Sequence, residues 1–256
     1  MSAILRKAKR LLNGTANLAR GYNLYVNREK LRLIDQTFSI VAPDASSFAD
    51  LGGVWRVNAA YARYIIKRYP VERGVLVDTD YPGWLMKRLR RIPRLDVISG
   101  DFASPAAVSA VGKVDIAIFF DVLLHQANPH WDDVLSLYAK STDCIVIYNQ
   151  QYVAGSKSIR LTDLPLEEYT TLTSERRAEF YKQVYSHRDE IHPGYQKPWG
   201  DIHSIAQWGI TDADLREHMA SLGYTERYFR NYGRFLDLPA FENHAFIFAR
   251  KRRLPA

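Results

Sequence analysis

Cysteine is almost absent from this chain: Cys144 is the only one in 256 residues. A single thiol excludes a disulfide framework, and its place in the apolar run at 143–147 predicts a buried core residue. This cysteine usage is compatible with a reducing compartment, and we expect a cytoplasmic protein. No apolar run approaches the roughly 20 residues that cross a bilayer. The first residues also lack the apolar segment and small-residue cleavage site of a signal peptide, so we expect neither a span nor a leader.

Acidic residues are outnumbered by basic ones, which gives a net charge of +7 and a pI of about 9.4. Basic clusters lie at 6–10, 87–91 and 250–253. Such a balance favours nucleic acid, an anionic membrane face or a phosphorylated substrate as partner. However, the sequence has no aromatic-interleaved basic motif of the RNA-binding kind. We therefore expect no nucleic-acid partner and interpret the clusters as solvated surface.

The N-terminal part, residues 1–45, is predicted to form a helical cap. Two runs with helical spacing, at 3–12 and 22–38, are separated by Asn13-Gly14. They could cover the mouth of an active site, form the surface of a homodimer, or lie on a membrane. The short basic run at 3–12 suits peripheral membrane contact, although an ordinary surface helix explains it as well.

From residue 48 onward, short apolar runs alternate with helical patterns. This alternation implies right-handed crossovers and a parallel sheet that is buried on both faces. We predict a doubly wound α/β fold with a mostly parallel seven-stranded sheet in one domain, 46–256, with N-terminal helices before it. The expected strands are 48–51, 74–78, 95–98, 114–120, 144–148, 225–230 and 245–249. The expected helices are 57–69, 84–89, 131–139 and 210–222.

The regular alternation stops between strand five and the helix at 210–222. Residues 150–208 contain few strand signals and one helical pattern, at 173–185, so we interpret this segment as a helical and loop insertion that caps the substrate. Aromatic rings with polar tips suit sugars and phenols, but they suit ordinary core packing equally well. The aromatic residues of the insertion are Tyr152, Tyr169, Tyr181, Tyr185, Tyr195, Trp199 and Trp208.

Four acids lie at or just after the ends of the first four predicted strands: Asp50, Asp78, Asp101 and Asp121. In open α/β sheets, ligands bind outside the carboxyl ends of the strands. Each acid could instead cap the following helix, but four on one rim favour a shared ligand. A dinucleotide fits poorly, because the glycines after Asp50 are adjacent and no third glycine follows within the turn.

Four short motifs, taken in order, resemble those of class I S-adenosylmethionine-dependent methyltransferases, and residues 208–224 resemble more loosely the helix and edge hairpin that close that fold. The motifs are Asp50-Leu51-Gly52-Gly53, Leu76-Val77-Asp78, Ser99-Gly100-Asp101-Phe102 and the segment 120–125. The resemblance implies a Rossmann-like fold and S-adenosylmethionine as cofactor. One departure is the bulky Val54-Trp55-Arg56, where the family often has a third glycine.

The resemblance also implies a role for each cofactor-binding residue. Carboxylates accept hydrogen bonds from hydroxyls and amines, and acidic surroundings suit a sulfonium cation. By this resemblance, Gly52 and Gly53 let the backbone approach the methionine part of the cofactor, and Asp50 lies near its amino group. Asp78 accepts hydrogen bonds from the ribose hydroxyls, Asp101 accepts from the adenine amine, and Phe102 packs beside the adenine ring. Asp121 lies near the methionine part or the acceptor.

Methyl transfer is an in-line displacement in which positioning supplies much of the acceleration. An oxygen acceptor also gains from a base, and His125, His192 and His203 are the candidates, each of which could instead have a structural role. Some O-methyltransferases of this fold bind magnesium through acids after strands four and five. Here Asp121 and Asn149 match that pattern only in part, so we predict no metal site.

These features together predict an S-adenosylmethionine-dependent methyltransferase that acts on an oxygen atom of a small molecule or glycan. Two alternatives stay open. An RNA-binding methyltransferase would use the excess positive charge and would bind in a salt-sensitive way. A membrane-surface protein that modifies a glycolipid would use the basic run at 3–12.

Overall fold

A computed structural model describes residues 26–173, 178–236 and 238–250, so the predicted helix at 3–12 lies outside the described residues. The helices are α1 Arg28–Gln36, α2 Ala60–Arg68, α3 Gly83–Leu89, α4 Pro105–Val111, α5 Trp131–Ala139, α6 Leu166–Leu172, α7 Ala178–Ser186 and α8 Asp212–Ser221. The strands are β1 Ser47–Leu51, β2 Arg73–Asp78, β3 Leu95–Ser99, β4 Val114–Phe120, β5 Thr142–Tyr152, β6 Ile159–Arg160, β7 Trp208–Gly209, β8 Tyr224–Arg234 and β9 Phe241–Arg250.

Seven of these strands form one sheet in the order β3-β2-β1-β4-β5-β9-β8, and β6 and β7 form a separate antiparallel pair. Strands β1, β2, β3 and β4 pair in parallel, whereas β8 and β9 are antiparallel at the edge of the sheet. The strand order reverses between β1 and β4, which is where open α/β sheets bind ligands. The predicted doubly wound, mostly parallel seven-stranded sheet is therefore confirmed.

The chain divides into two compact units. The first contains the described residues up to Phe120 together with Ser141–Val146, and the second contains Asp121–Lys140 and the described residues from Ile147 onward. This division does not test the predicted boundaries of the cap at 1–45 and the insertion at 150–208, which stay predictions.

The centre of the first unit is fixed by close packing between β1 and β2. Phe48 is fully buried and lies opposite Gly74 in the parallel register. A β-carbon at position 74 would lie 2.6 Å from Phe48 Cζ, so only glycine leaves room for the ring. Ala49 and Leu51 are also buried, which explains why this strand is a continuous apolar run rather than an alternating one.

The second unit has an apolar core of its own, and part of the aromatic insertion belongs to it. Tyr169 and Tyr181 are buried in this core with their rings 4.9 Å apart and edge to face, whereas Tyr195 is exposed. Core packing, one of the two interpretations of the aromatic insertion, therefore applies to Tyr169 and Tyr181.

Several predicted boundaries were wrong for local reasons. The helix expected at 57–69 begins only at Ala60, because residues 55–59 form a turn. The described part of the helix expected at 173–185 is Ala178–Ser186, and the separate helix α6, Leu166–Leu172, ends just before Thr173. Strand β5 extends to Tyr152, past the predicted end at 148. Cys144 is buried, as predicted. None of the described helices combines the length and the apolar character that a membrane span requires.

Candidate functional site

The turn after β1 requires both of its glycines. Gly52 has a φ of 75°, in the left-handed region that favours glycine, and its N–H donates to the carbonyl of Val77 at 2.8 Å. At position 53 a β-carbon would lie 2.6 Å from Asp50 Oδ1, so a side chain there would displace the carboxylate. The backbone of the turn therefore passes directly against the Asp50 carboxylate.

Asp50 is a buried carboxyl group with an unused acceptor atom. It is the penultimate residue of β1 with 1% of its surface exposed, and Oδ2 accepts no hydrogen bond from any residue within the described ranges. Burial raises the pKa of Asp50 to about 7, with a further contribution from Asp78, while the Ala62 N–H and the charge of Lys30 oppose the shift. A buried acceptor without a partner is costly, and an ammonium or N–H donor of a ligand would remove that cost.

Asp78 ends β2 and holds the glycine turn in place. Its Oδ2 accepts from the backbone N–H groups of Val54 at 2.8 Å and Trp55 at 3.3 Å, and its Oδ1 accepts from the N–H of Asp80 at 3.2 Å. The carboxylate is 6% exposed. Because a carboxylate offers about four acceptor positions, these contacts leave capacity for a ligand hydroxyl while explaining why the turn is well defined.

Asp101 and Phe102 follow β3 in a short turn. Asp101 Oδ1 accepts from the N–H of Ala103 at 3.0 Å. The Phe102 ring is buried and lies edge to face with Phe119 of β4, with centroids 6.3 Å apart. The turn thus fixes Asp101 just after a strand that neighbours β2.

None of the four rim acids caps a described helix. The N-cap residues of α2, α3 and α5 are Ala59, Pro82 and His130, and none of them makes a side-chain cap hydrogen bond. The cap of α4 is Ser104, which accepts from the N–H of Ala107. Helix capping, the main structural explanation for the acids, is therefore excluded for all four.

Lys30 is a site residue that the sequence analysis missed. It lies on α1 with 3% exposure, and its charge acts on Asp50. Its ammonium lies 5.8 Å from the centroid of the Tyr61 ring and 5.9 Å from that of Phe120, the last residue of β4. A lysine within a helical pattern is normally assigned to the solvent face, so only the apolar neighbours Leu31, Leu33 and Ile34 could have signalled its burial.

The segment that departs from the family pattern adopts an unusual backbone. Arg56, Asn58 and Ala59 all have positive φ values, of 58°, 51° and 59°. Non-glycine residues rarely adopt this region. The Trp55 side chain at the start of this segment is 63% exposed.

Asp121 begins the second unit, directly after β4 in the chain. It too has a positive φ, 56°, and its N–H donates to the carbonyl of Tyr148. Its Oδ1 accepts from Gln150 Nε2 at 2.7 Å, and the same nitrogen lies 3.3 Å from Asn243 Oδ1. The end of β5 therefore orients this carboxylate.

His125 and His203 are brought together by the fold. His125 Nδ1 lies 2.7 Å from the carbonyl of Ile205, and His203 Nδ1 lies 3.2 Å from the carbonyl of His125. Because a carbonyl can only accept, each Nδ1 carries the proton. His203 Nε2 then accepts from Lys197 Nζ at 3.0 Å. Both ring nitrogens of His203 are therefore hydrogen-bonded. His125 is in the Nδ1–H tautomer, in which Nε2 is the nitrogen that can accept a proton.

His192 forms hydrogen bonds within its own turn. Its Nδ1 accepts from the N–H groups of Gly194 at 3.0 Å and Tyr195 at 3.2 Å, and its ring lies 4.2 Å from that of Trp199. This geometry favours the structural interpretation of His192 over a role as base.

Two groups of residues bear on metal binding. Asn149 Nδ2 donates to Gln151 Oε1 at 3.0 Å, whereas its Oδ1, the atom that would ligate a metal, is buried and accepts no hydrogen bond from the described residues. His130, Asp132 and Asp133 place ligand atoms within 4.8 Å of one another at the start of α5. Acids in a first helical turn are stabilised by the helix dipole without a metal, so this group has a structural explanation.

Comparisons with known proteins agree with the fold. No family model and no curated protein matches the sequence. In structure, the chain is similar to the 1,6-didemethyltoxoflavin-N1-methyltransferase of Burkholderia thailandensis, solved with S-adenosylhomocysteine, at 12% identity and a TM-score of 0.54, over 98% of this chain and 92% of that one. It is also similar to the magnesium protoporphyrin IX methyltransferase of Synechocystis PCC 6803, solved with S-adenosylmethionine, at 11% identity and a TM-score of 0.50, over 87% and 80%.

A third neighbour is an O-methyltransferase family protein from Burkholderia thailandensis, at 12% identity and a TM-score of 0.51. The match covers 88% of this chain and 57% of that one, so this chain spans little more than half the length of that protein. Identities this low establish the fold alone. The chain has the fold of the class I S-adenosylmethionine-dependent methyltransferases, as the ordered motifs predicted.

Proposed function

We propose that this protein is an S-adenosylmethionine-dependent methyltransferase that acts on an oxygen atom of a small molecule or glycan. The observation that carries the proposal is Asp50 Oδ2, a buried acceptor without a partner in the described structure, directly beside a turn that admits only glycine. This arrangement fits the amino group of the cofactor, because an ammonium would both fill the acceptor and favour the ionised carboxylate.

The remaining cofactor contacts are assigned as the resemblance in sequence implies. Gly52 and Gly53 would allow the methionine part to approach the backbone. Asp78 would accept from the ribose hydroxyls while it holds the turn, and Asp101 and Phe102 would contact the adenine. Asp121, oriented by Gln150, would lie near the methionine or the acceptor.

When bound, S-adenosylmethionine supplies an electrophilic methyl group on a sulfonium. The chain has to orient an acceptor in line with that group and remove the proton of its hydroxyl. His125 suits the second task, since the carbonyl of Ile205 fixes the Nδ1–H tautomer and directs proton acceptance to Nε2. His203 would be a positioning residue, because it donates to the backbone of His125.

The acceptor class and the cellular setting are further parts of the proposal. A small-molecule acceptor is supported by the neighbours, one named for a toxoflavin precursor and another for a magnesium porphyrin. Oxygen as the methylated atom is supported by the O-methyltransferase neighbour and by the tautomer of His125. We assign residues 150–208 to an acceptor cap, and a cytoplasmic location on the basis of the single thiol.

Calorimetry with S-adenosylmethionine and S-adenosylhomocysteine tests the cofactor assignment, and transfer of a labelled methyl group to a panel of phenols, sugars and carboxylic acids tests the acceptor. We expect micromolar binding of both compounds and label in an ether or ester product. Absence of binding would sink the proposal as a whole. Label on nitrogen, sulfur or RNA would overturn only the acceptor class.

A further inference from the structure

Helix α3, in the first unit, has a buried face and an exposed face of different chemistry. Leu85 and Leu89 lie one turn apart and are both buried. Trp84, Lys87 and Arg88 are exposed, and their spacing of three and four residues places them on one side of the helix. The helix therefore packs on the protein through its leucines and presents an aromatic ring and two cations to the outside.

The cations of this segment are not neutralised by the described part of the chain. Two further arginines follow the helix, and no acidic residue occurs anywhere in the segment 81–95. All four basic side chains are exposed, and none of them forms an ion pair or a hydrogen bond with a described residue. The four are Lys87, Arg88, Arg90 and Arg91.

The helix dipole explains only part of this arrangement. Lys87 and Arg88 lie in the last turn of α3, where the negative end of the dipole stabilises cations. However, like charges four residues apart, such as those of Lys87 and Arg91, repel each other and destabilise a helix. The dipole also gives no reason for Trp84, which lies in the first turn and is 59% exposed. Cations beside an exposed tryptophan are typical of surfaces that contact a membrane interface.

A second exposed tryptophan follows the neighbouring strand. Strands β1 and β2 pair in parallel with Leu51 opposite Val77, so the segments that follow them leave the same edge of the sheet. Trp55 follows β1 and is 63% exposed, with the Arg56 guanidinium 4.7 Å from the centroid of its ring. Trp84 follows β2. Two tryptophans with basic neighbours are thus exposed in the segments that leave this edge.

We propose that the exposed face of α3 docks on an anionic membrane surface, with the cations against lipid headgroups and the Trp84 ring at headgroup level. Clusters of lysine and arginine recognise anionic lipids, and tryptophan is enriched at the membrane–water interface. This surface is separate from the basic run at 3–12, and the inference does not depend on methyl transfer. Single-stranded nucleic acid fits less well, because its binding proteins stack successive bases on several rings along a groove. Helix α3 offers one ring on its outer side.

Co-sedimentation of the full chain with phosphatidylcholine vesicles, with and without phosphatidylserine, tests the inference. We expect the wild type to bind only the anionic vesicles and to be released by high salt, which screens exposed charges. The triple variant Lys87→Gln, Arg88→Gln, Arg91→Gln should partition on the order of 100-fold more weakly, because each basic residue near an anionic surface contributes about fivefold. Replacing both arginines by lysine keeps the charges and should keep the binding. Trp84→Ala should weaken binding and reduce the quenching of tryptophan fluorescence by brominated acyl chains.

The matched control removes three positive charges elsewhere, by Lys67→Gln, Lys113→Gln and Lys140→Gln. These lysines are exposed and form no ion pair with a described residue, so this variant has the same net charge as the first and should retain most of the binding. An equal loss in the two variants would overturn the inference, because binding would then follow net charge.

Two outcomes for the wild type also decide against the inference, and neither depends on whether a variant folds. The first is equal behaviour with and without phosphatidylserine. The second is salt-sensitive binding to single-stranded RNA of mixed sequence without binding to vesicles, which would assign this face to nucleic acid instead.

Discussion

The carboxylate of Asp50 occupies the space that a β-carbon at position 53 would need. The ideal position of that carbon lies 2.6 Å from Asp50 Oδ1, well inside van der Waals contact. The glycine and the acid are therefore coupled: Gly53 keeps the carboxylate in its buried position, and the carboxylate keeps one face of the turn polar.

Gly53→Ala should push the Asp50 carboxylate out of place and weaken binding of S-adenosylhomocysteine by at least about tenfold, because a charged contact worth 1.5–3 kcal/mol is lost. We expect a fall in the free energy of unfolding of about 1–3 kcal/mol from overpacking. Calorimetry and urea unfolding measure the two effects. Gly83→Ala is the matched control, since nothing lies within 4 Å of a β-carbon there, and equal effects of the two substitutions would contradict the coupling.

Asp50 should also make the stability of the unliganded protein depend on pH. Its pKa is raised by burial from 3.8 to about 7 in the folded chain, so the folded state binds the proton more tightly than the unfolded state does. The contribution to stability is fully present below about pH 4 and is lost as the pH rises through 7, with a slope of up to about 1.4 kcal/mol per pH unit.

Asp50→Asn removes this titration. Relative to the wild type, the variant should gain stability between pH 5 and pH 7 and show a constant difference above pH 8, in urea unfolding curves recorded at each pH. It should also lose affinity for S-adenosylhomocysteine. Parallel stability curves across this range would show that the carboxyl is not buried as described.

The turn at 54–59 carries backbone strain that glycine would relieve. Arg56 has a φ of 58°, where a residue with a β-carbon loses roughly 1 kcal/mol or more relative to glycine. Arg56→Gly should therefore be about 1 kcal/mol more stable than Arg56→Ala. At Arg63, inside α2, the order should be reversed, because glycine costs a helix interior about 1 kcal/mol relative to alanine. Chemical denaturation of the four variants measures these differences in the free energy of unfolding.

The same turn shows how far sequence could predict the fold. Strands buried on both faces are continuous apolar runs, so β1, β2, β4 and β5 were recognisable. Strand β3, in which only Leu95 is buried, was recognised as a short run between turns, and the acids at the ends of β1 to β4 located the rim. The backbone of 55–59 was not recognisable, because Arg56 and Ala59 are residue types that give no signal of a positive φ, and Asn58 alone, a type enriched in that region, does not define the turn. Helix α4 was missed although Ser104-Pro105 is a favourable start, since its seven small residues show little periodicity.

Sequence located the parts of the candidate site that follow strands and missed the parts that depend on packing between distant segments. Asp50, Asp78 and Asp101 were found by position. Lys30 was missed because Asp50, on which its charge acts, is far away in the chain. The same holds for His244, outside the candidate site, whose Nδ1 lies 2.8 Å from Asp212 Oδ1 at a separation of 32 residues. Whether a polar residue is buried depends on such contacts and not on its neighbours in sequence.

His244 makes the stability of the fold depend on pH in a second way, because the charged form of this residue, and not the neutral form as at Asp50, is the one that the fold stabilises. It is 4% exposed on β9, with Nδ1 2.8 Å from Asp212 Oδ1 and Nε2 3.3 Å from Glu242 Oε2. Burial lowers its pKa, but the hydrogen bonds and charges of the two carboxylates outweigh burial and raise it above 6.5. The imidazolium therefore stabilises the fold fully below about pH 6.5, the unfolded value, and this stabilisation is lost as the pH rises through the folded pKa.

His244→Gln should reduce the free energy of unfolding by about 1–2 kcal/mol at pH 6, and the difference from the wild type should shrink by pH 9. The loss is moderate because Arg216 remains near Asp212 and Asn231 remains bonded to Glu242. Asp212→Asn, which removes one carboxylate, should weaken the wild-type pH dependence. A His244→Gln effect that is constant from pH 6 to pH 9 would contradict the charged state.

His125 is tested through its two separable roles, as a donor to the carbonyl of Ile205 and as the proposed base. His125→Asn keeps a side-chain N–H donor for that carbonyl, whereas His125→Ala removes both functions. If Nε2 accepts the proton of the acceptor hydroxyl, both variants should lose about 10²- to 10⁴-fold in kcat and retain wild-type affinity for S-adenosylhomocysteine. Recovery of kcat in His125→Asn would show instead that the histidine only positions the 205 carbonyl.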